Sequence, residues 1–291
     1  MFLPADLESA LHNPLLSPGF LTLLIMGAGI VLVRSGVFFP SHFRLRSKGI
    51  DLLLAGKPVE AERCYRTALD LGAKVPESDR VRLLVCLGDA LIDQGKYGEA
   101  RQYLAQALEL GDPTGSGQGS MCDVLLAQKA SPEKAIEMAD EAMQLQGRAV
   151  DGQSFGARWA TVSKELYEAK TLARKAQALL MLDRRAEARQ AMDRALSILD
   201  TSKSKLQMAR PESSLVGRLI LGNRLRRMRE LAISGACWQI GLSLLAMGDK
   251  DKAMEQFLVV RDTDRMGKYR SLAQKKLDSL GYTNTVARVL A

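Results

Sequence analysis

Five guanidiniums fall within twelve residues, at Arg218, Arg224, Arg226, Arg227 and Arg229, alongside Leu215, Leu219, Leu225 and Met228. On a helix such a run can offer a pocket to acidic segments, a contact to nucleic acid or a foot on anionic lipid. A solvated face that salt-bridges to neighbouring Glu and Asp has the same composition. Nucleic acid fits worst, because no stacking aromatics interleave the arginines and no groove-reading motif accompanies them.

Covalent chemistry finds less material. Cys64, Cys86, Cys122 and Cys237 include no C-x-x-C pair, and each sits in a helical pattern, so they read as small core residues. Unpaired thiols suit a reducing compartment. The only histidines are His12 and His42, which fall on opposite sides of an apolar span and read as surface residues, so no His-based metal site or acid–base pair is available. Asp89 and Asp93, at i, i+4, are expected to face solvent rather than to work as an acid–base pair. Gly115-x-Gly117-x-Gly119 lacks the preceding strand and full spacing of a phosphate loop, and G-x-x-x-x-G-K-[ST] is absent, so this stretch, residues 111–120, reads as a linker. The expectation is a protein that is not an enzyme, with no catalytic residue, metal or cofactor.

What positions these residues is helical. From Val81 to Pro113, Leu84, Leu87, Gly88 and Leu91 share one stripe, and Ala100, Leu104 and Ala107 share another. Gly95 breaks the pattern between them, since glycine accepts the positive φ that ends a helix. Pro113 closes the unit. An antiparallel helical hairpin follows, with Gly88 and Ala100 where the backbones come closest. This stretch resembles a tetratricopeptide repeat.

The pattern recurs at Ala61, Ala100, Ala135, Ala188 and Ala253, which are 39, 35, 53 and 65 residues apart. Gly56 and Gly248 repeat the turn glycine, Ala130 takes its place in the third copy, and Asp183 does so in the fourth. The resemblance covers roughly residues 42–280 and implies an all-α fold, a right-handed solenoid of helical hairpins, preceded here by one transmembrane helix. Four segments are expected: 1–40, an external segment and anchor; 41–147, repeats one to three; 148–282, repeats four and five with extended helices and a capping helix; and 283–291, a tail. In the insertions, 156–181 reads as one long helix, 201–205 (TSKSK) as a solvated loop, and 211–214 as the start of the arginine-bearing helix.

Residues 14–33 carry no charge, and Phe20, Leu24, Ile25, Ile30 and Leu32 make their second half almost wholly apolar. Twenty helical residues span about 30 Å, the thickness of a bilayer core. Arg34, Arg44, Arg46 and Lys48 follow directly, so the amino terminus is expected outside and the repeats on the cytoplasmic side. The leading segment, with Asp6 and Glu8 and no Lys or Arg, does not suit a secretory signal. The net charge of +8 favours anionic neighbours.

The resemblance also implies where a partner binds. Tetratricopeptide arrays hold protein segments in a concave groove lined by the first helix of each hairpin; the residues after the small position of those helices are Ile50, Asp89, Val124, Gln177 and Leu242. The asparagines of a carboxylate clamp are missing. The layout resembles bacterial inner-membrane tetratricopeptide proteins that recruit enzymes or proteases, although no cysteine follows Cys237 to form the zinc ribbon of the best-known type. Import receptors of organelle outer membranes share it. The expected function is a membrane-anchored adaptor, with a protein partner in the groove and the lipid bilayer at the anchor.

Overall fold

Each hairpin of this chain turns on one backbone motif. The N–H groups of Gly56, Gly95, Lys129, Asp183 and Gly248 donate to the carbonyls of Leu53, Ile92, Leu126, Leu180 and Leu245, and the next N–H in each case reaches one carbonyl further back. This pairing satisfies the last carbonyls of a helix when the turning residue is left-handed. All five are, with φ of 72, 75, 51, 57 and 86°. Asp183 thus replaces glycine as expected. In the third copy the left-handed residue is Lys129 and not Ala130, because that turn is one residue longer and Ser131 is left-handed too, at φ 45°.

The computed structural model describes residues 40–148, 157–208, 222–265 and 267–282. Two compact units divide the chain, residues 1–44 and 45–291. Of the first, only 40–44 are described, entering the first turn of helix α1 (Ser41–Leu54). The helices that follow are α2 (Pro58–Leu69), α3 (Glu77–Asp93), α4 (Tyr97–Glu109), α5 (Ser116–Ala127), α6 (Pro132–Arg148), α7 (Ala157–Met181), α8 (Arg185–Met208), α9 (Gly222–Ala246), α10 (Lys250–Thr263) and α11 (Lys268–Ser279). Among the described residues all regular structure is helical, and no helix is long and apolar enough to cross a membrane. The expected anchor residues Phe20, Leu24, Ile25, Ile30 and Leu32, with Arg34, lie outside the described residues.

Hairpins close where a glycine on the first helix receives a large side chain from the second. A Cβ on Gly88 would sit 2.7 Å from the Leu104 side chain, one on Gly241 2.6 Å from the Phe257 ring, and one on Gly49 would collide with the Tyr65 ring. Tyr65, Leu104 and Phe257 are fully buried. They anchor two apolar clusters, one built on Tyr65, Leu87, Leu104 and Leu125, the other on Leu166, Met192, Ile240, Phe257 and Leu277.

Three expectations change. The glycine-rich stretch is no linker: Ser116 opens α5, and Gly117 and Gly119 are buried within it. Asp112 tethers that start, its carboxylate accepting from the N–H groups of Gly117 at 2.6 Å and Thr114 at 2.9 Å. The glycines serve close packing. A Cβ on Gly115, at φ 71°, would lie 2.7 Å from the Ala142 carbonyl oxygen, and one on Gly119 would strike the Tyr167 hydroxyl. Residues 201–205 are not a loop either but the continuation of α8. Thr201 and Ser204 donate to the carbonyls four residues back, at 2.9 and 3.0 Å, and buried Ser202 donates to Glu165 at 3.0 Å. His42, expected on the surface, is buried in the first turn of α1.

Neighbouring hairpins are joined by a polar network around Glu62 on α2. Its carboxylate accepts from Arg66 at 2.7 Å, Gln94 at 2.8 Å and Lys96 at 3.1 Å, the last two from the next repeat's turn. Burial alone would raise its pKa, but the bonds from Gln94, Arg66 and Lys96 outweigh that and lower it from 4.5 to about 2. A carboxylate depressed on folding stabilises above its unfolded pKa and loses that contribution as pH falls through the folded one. Glu62→Gln is therefore expected to cost about 1–3 kcal/mol at neutral pH. The gap from the native chain should close between pH 4.5 and 2. Urea midpoints of the two proteins across that range measure it; a pH-independent gap would contradict the assignment.

Candidate functional site

The first helices α3, α5, α7 and α9 lie side by side and are linked along one face by a ladder of side chains. Each rung runs from one helix to the helix before it. Ser120 donates to Asp89 at 2.5 Å, Arg174 Nε to Asp123 at 2.7 Å with its Nη2 on the second carboxylate oxygen, and Gln239 to Gln177 at 3.5 Å. The repeat period puts these residues in register: Ser120, Arg174 and Gln239 stand two residues before the small position, and Asp89, Asp123 and Gln177 one after it. In repeat three the small residue is thus Cys122 and the groove residue Asp123. Val124, expected there, is fully buried in the core, displaced by the longer turn after α5.

Beside this ladder lies a groove of about 320 Å³, lined among others by Asp93, Tyr97, Asp123, Lys170, Gln177 and Trp238. Of the expected groove residues, Gln177 and Leu242 line it, Asp89 forms the first rung, and Ile50 is exposed on α1. Of the two aspartates expected to face solvent, Asp93 is exposed, whereas Asp89 is half-buried. Burial raises the Asp89 carboxyl against the lowering pull of Ser120, Lys170 and Lys268. Asp93 pairs with Lys268 at 2.6 Å. Burial pulls the Lys268 ammonium down, but Tyr269 and Asp93 together hold it above the usual lysine range.

That ion pair is a long-range closure which the sequence pattern did not reveal. Helix α11 packs on α10 as a terminal helix should, with Ala273 and Leu277 buried. Yet its first residues reach the far end of the array. The Lys268 Cα lies 4.0 Å from where a Gly56 side chain would begin, and the Tyr269 ring lies 6.3 Å from Trp238. Asp264, buried, fixes the start of α11 by accepting from the N–H groups of Tyr269 at 2.6 Å and Arg270 at 3.0 Å.

The arginine run is placed differently. Helix α9 is continuous from Gly222 to Ala246, so Arg224, Arg226, Arg227 and Arg229 extend repeat five's first helix instead of belonging to a separate insertion. Arg226 and Arg227 are exposed, Arg226 lies 3.5 Å from Glu230, and Arg229 is half-buried. Arg218 lies outside the described residues. Of the basic residues after the apolar span, Arg44 and Lys48 are exposed, whereas Arg46 pairs with Asp79 at 2.7 Å.

Burial pushes the thiols up, Cys86 and Cys122 to about 12 and Cys237 to about 11, so they stay neutral and poorly nucleophilic at physiological pH. Among the described residues no three His, Cys, Asp or Glu side chains are grouped to hold a metal ion.

Residues 44–112, helices α1 to α4, match the family model of the tetratricopeptide repeat, and a second model of the same description matches 234–258, within α9 and α10. No curated protein matches the chain. Among solved structures it is similar to a tetratricopeptide repeat protein from Parabacteroides merdae, at 16% identity over 82% of this chain and 98% of that one, with a TM-score of 0.33. Two stretches of the chain, α1 to α4 and the hairpin of α9 with α10, are thus similar to tetratricopeptide repeats.

Proposed function

We propose that this chain is a membrane-anchored scaffold that holds a protein segment in the groove of its first helices, on the cytoplasmic face of a bacterial inner membrane. Tetratricopeptide repeats suggest a protein–protein interaction scaffold. The observation that carries the reading here is the groove itself, where Tyr97, Trp238 and Tyr269 line a cleft beside an ordered polar ladder. Aromatic side chains with a few fixed polar groups are what a recognition surface needs. Burial keeps the Cys86, Cys122 and Cys237 thiols neutral, so none of these three is a ready nucleophile.

The anchor rests on sequence: an uncharged stretch over residues 14–33 followed by Arg34, Arg44, Arg46 and Lys48. Confinement to a bilayer raises the effective concentration of a held partner near other membrane components. Exposed Arg226 and Arg227 suit a contact with anionic headgroups at the same surface. A photo-crosslinking amino acid at Leu242, in cells carrying the full chain or one lacking residues 1–40, tests the anchor. One membrane complex should be captured from the full chain and lost from the shortened one. Equal capture of soluble proteins by both would count against it.

A further inference from the structure

Asp93, which lines the groove, already holds a cation, and the chain itself delivers it. Lys268 sets its ammonium 2.6 Å from Asp93 and 5.2 Å from the ring of Tyr269, which in turn stands beside Trp238. Of α11, Tyr269 lines the cleft and Lys268 reaches its Asp93. The rest of the helix lies on α10, where Lys275 and Leu272 are exposed. The carboxylates there have unequal partners: Asp123 is held by buried Arg174, a fixed part of the ladder, whereas Asp93 pairs, among the described residues, with a lysine of the terminal helix. Asp89, one turn before Asp93 on α3, accepts a hydrogen bond from the Ser120 hydroxyl and adds to the attraction for a positive charge. With Lys268 withdrawn, this end of the groove presents Asp89 and Asp93 beside Tyr97 and Trp238, a surface suited to an ammonium group followed by an aromatic ring.

We propose that Lys268 and Tyr269 are an internal stand-in for the partner, and that the groove's ligand is a peptide segment placing a lysine on Asp93 and an adjacent aromatic side chain against Trp238. The inference rests on the groove reading above and deepens it by naming the chemistry of the segment. It also makes α11 a competitor: the partner gains the site only as Lys268 yields it, and apparent affinity falls by the fraction of time the site is occupied. Gly267, left-handed at φ 95°, supplies the joint between α10 and α11.

The chain's own residues 267–282 provide the probe, as a fluorescein-labelled peptide titrated by anisotropy into the full-length protein. Lys268→Met should bind it about tenfold more tightly than the native chain, as expected when an internal competitor holds a site most of the time. Adding Asp93→Asn to that variant should abolish the gain, as should replacing the lysine of the peptide by methionine. Helix content by circular dichroism must match the native chain in each variant. Should Lys268→Met lose helix, the charge-exchanged protein Asp93→Lys/Lys268→Asp keeps the pair and should prefer a peptide with glutamate in place of that lysine. Equal binding by native and Lys268→Met proteins, gain that survives Asp93→Asn, or a charge-exchanged protein that still prefers the lysine peptide would each overturn the proposal. Groove crosslinks from Leu242 that persist despite such a result would leave the scaffold reading standing and remove only the cation.

Discussion

Asp123→Ala will destabilise the protein by about 3–5 kcal/mol, because it strands a buried guanidinium. The Arg174 side chain is 3% exposed, and both oxygens of Asp123 hold it. Burial would pull the Arg174 pKa down, yet Asp123 more than offsets this and the group stays charged in the folded state. Loss of the carboxylate removes that compensation. Replacing both partners, as Asp123→Ala/Arg174→Met, leaves no charge to desolvate, so the double variant should be markedly more stable than Asp123→Ala alone. Urea unfolding of the three proteins decides this. A loss below about 1 kcal/mol for the single variant, the range of exposed pairs, would mean that water reaches Arg174.

Phe257→Ala should cost about 3–5 kcal/mol through the cavity it leaves. The ring is fully buried, 5.3 Å from Trp238, and lies against Gly241, where a Cβ would approach within 2.6 Å. Gly241→Ala should by itself cost about 1–3 kcal/mol from overpacking, less whatever alanine gains as the better helix former. Together the two changes should be less harmful than their sum, since the new methyl enters the space the ring vacates. Additive losses would show that Gly241 and Phe257 do not share that space.

The hairpins were legible because their physics is local. Gly56, Gly95 and Gly248 mark turns that need a left-handed residue, and Asp183 stands in for one because a short polar side chain tolerates that conformation. Composition misled where glycine, serine and threonine had tertiary work. In residues 111–120 glycine permits the approach of Ala142 and Tyr167, and in residues 201–205 the hydroxyls bond back to their own helix or to Glu165. Repeat three slipped by one residue because a lysine and a serine carry its turn, which no glycine announced.

The groove was half legible. Asp89, Gln177 and Leu242 follow from the period, and Cys122-Asp123 matches Gly88-Asp89 once the turn is moved to Lys129. The rungs from Ser120, Arg174 and Gln239 could have been found from the same register, two residues before each small position. The Lys268–Asp93 closure could not, since it depends on how far the stacked hairpins curve before α11 begins.

A partner held by the first-helix groove, and not by the outer helices, is within reach of a probe inside that groove. Photo-crosslinking from position 242, inside the groove, set against position 110, exposed at the end of α4, tests it most directly. A discrete crosslinked partner is expected from 242 and none from 110. The same partner from 110, with none from 242, would place recognition on the outer face and rule out the groove.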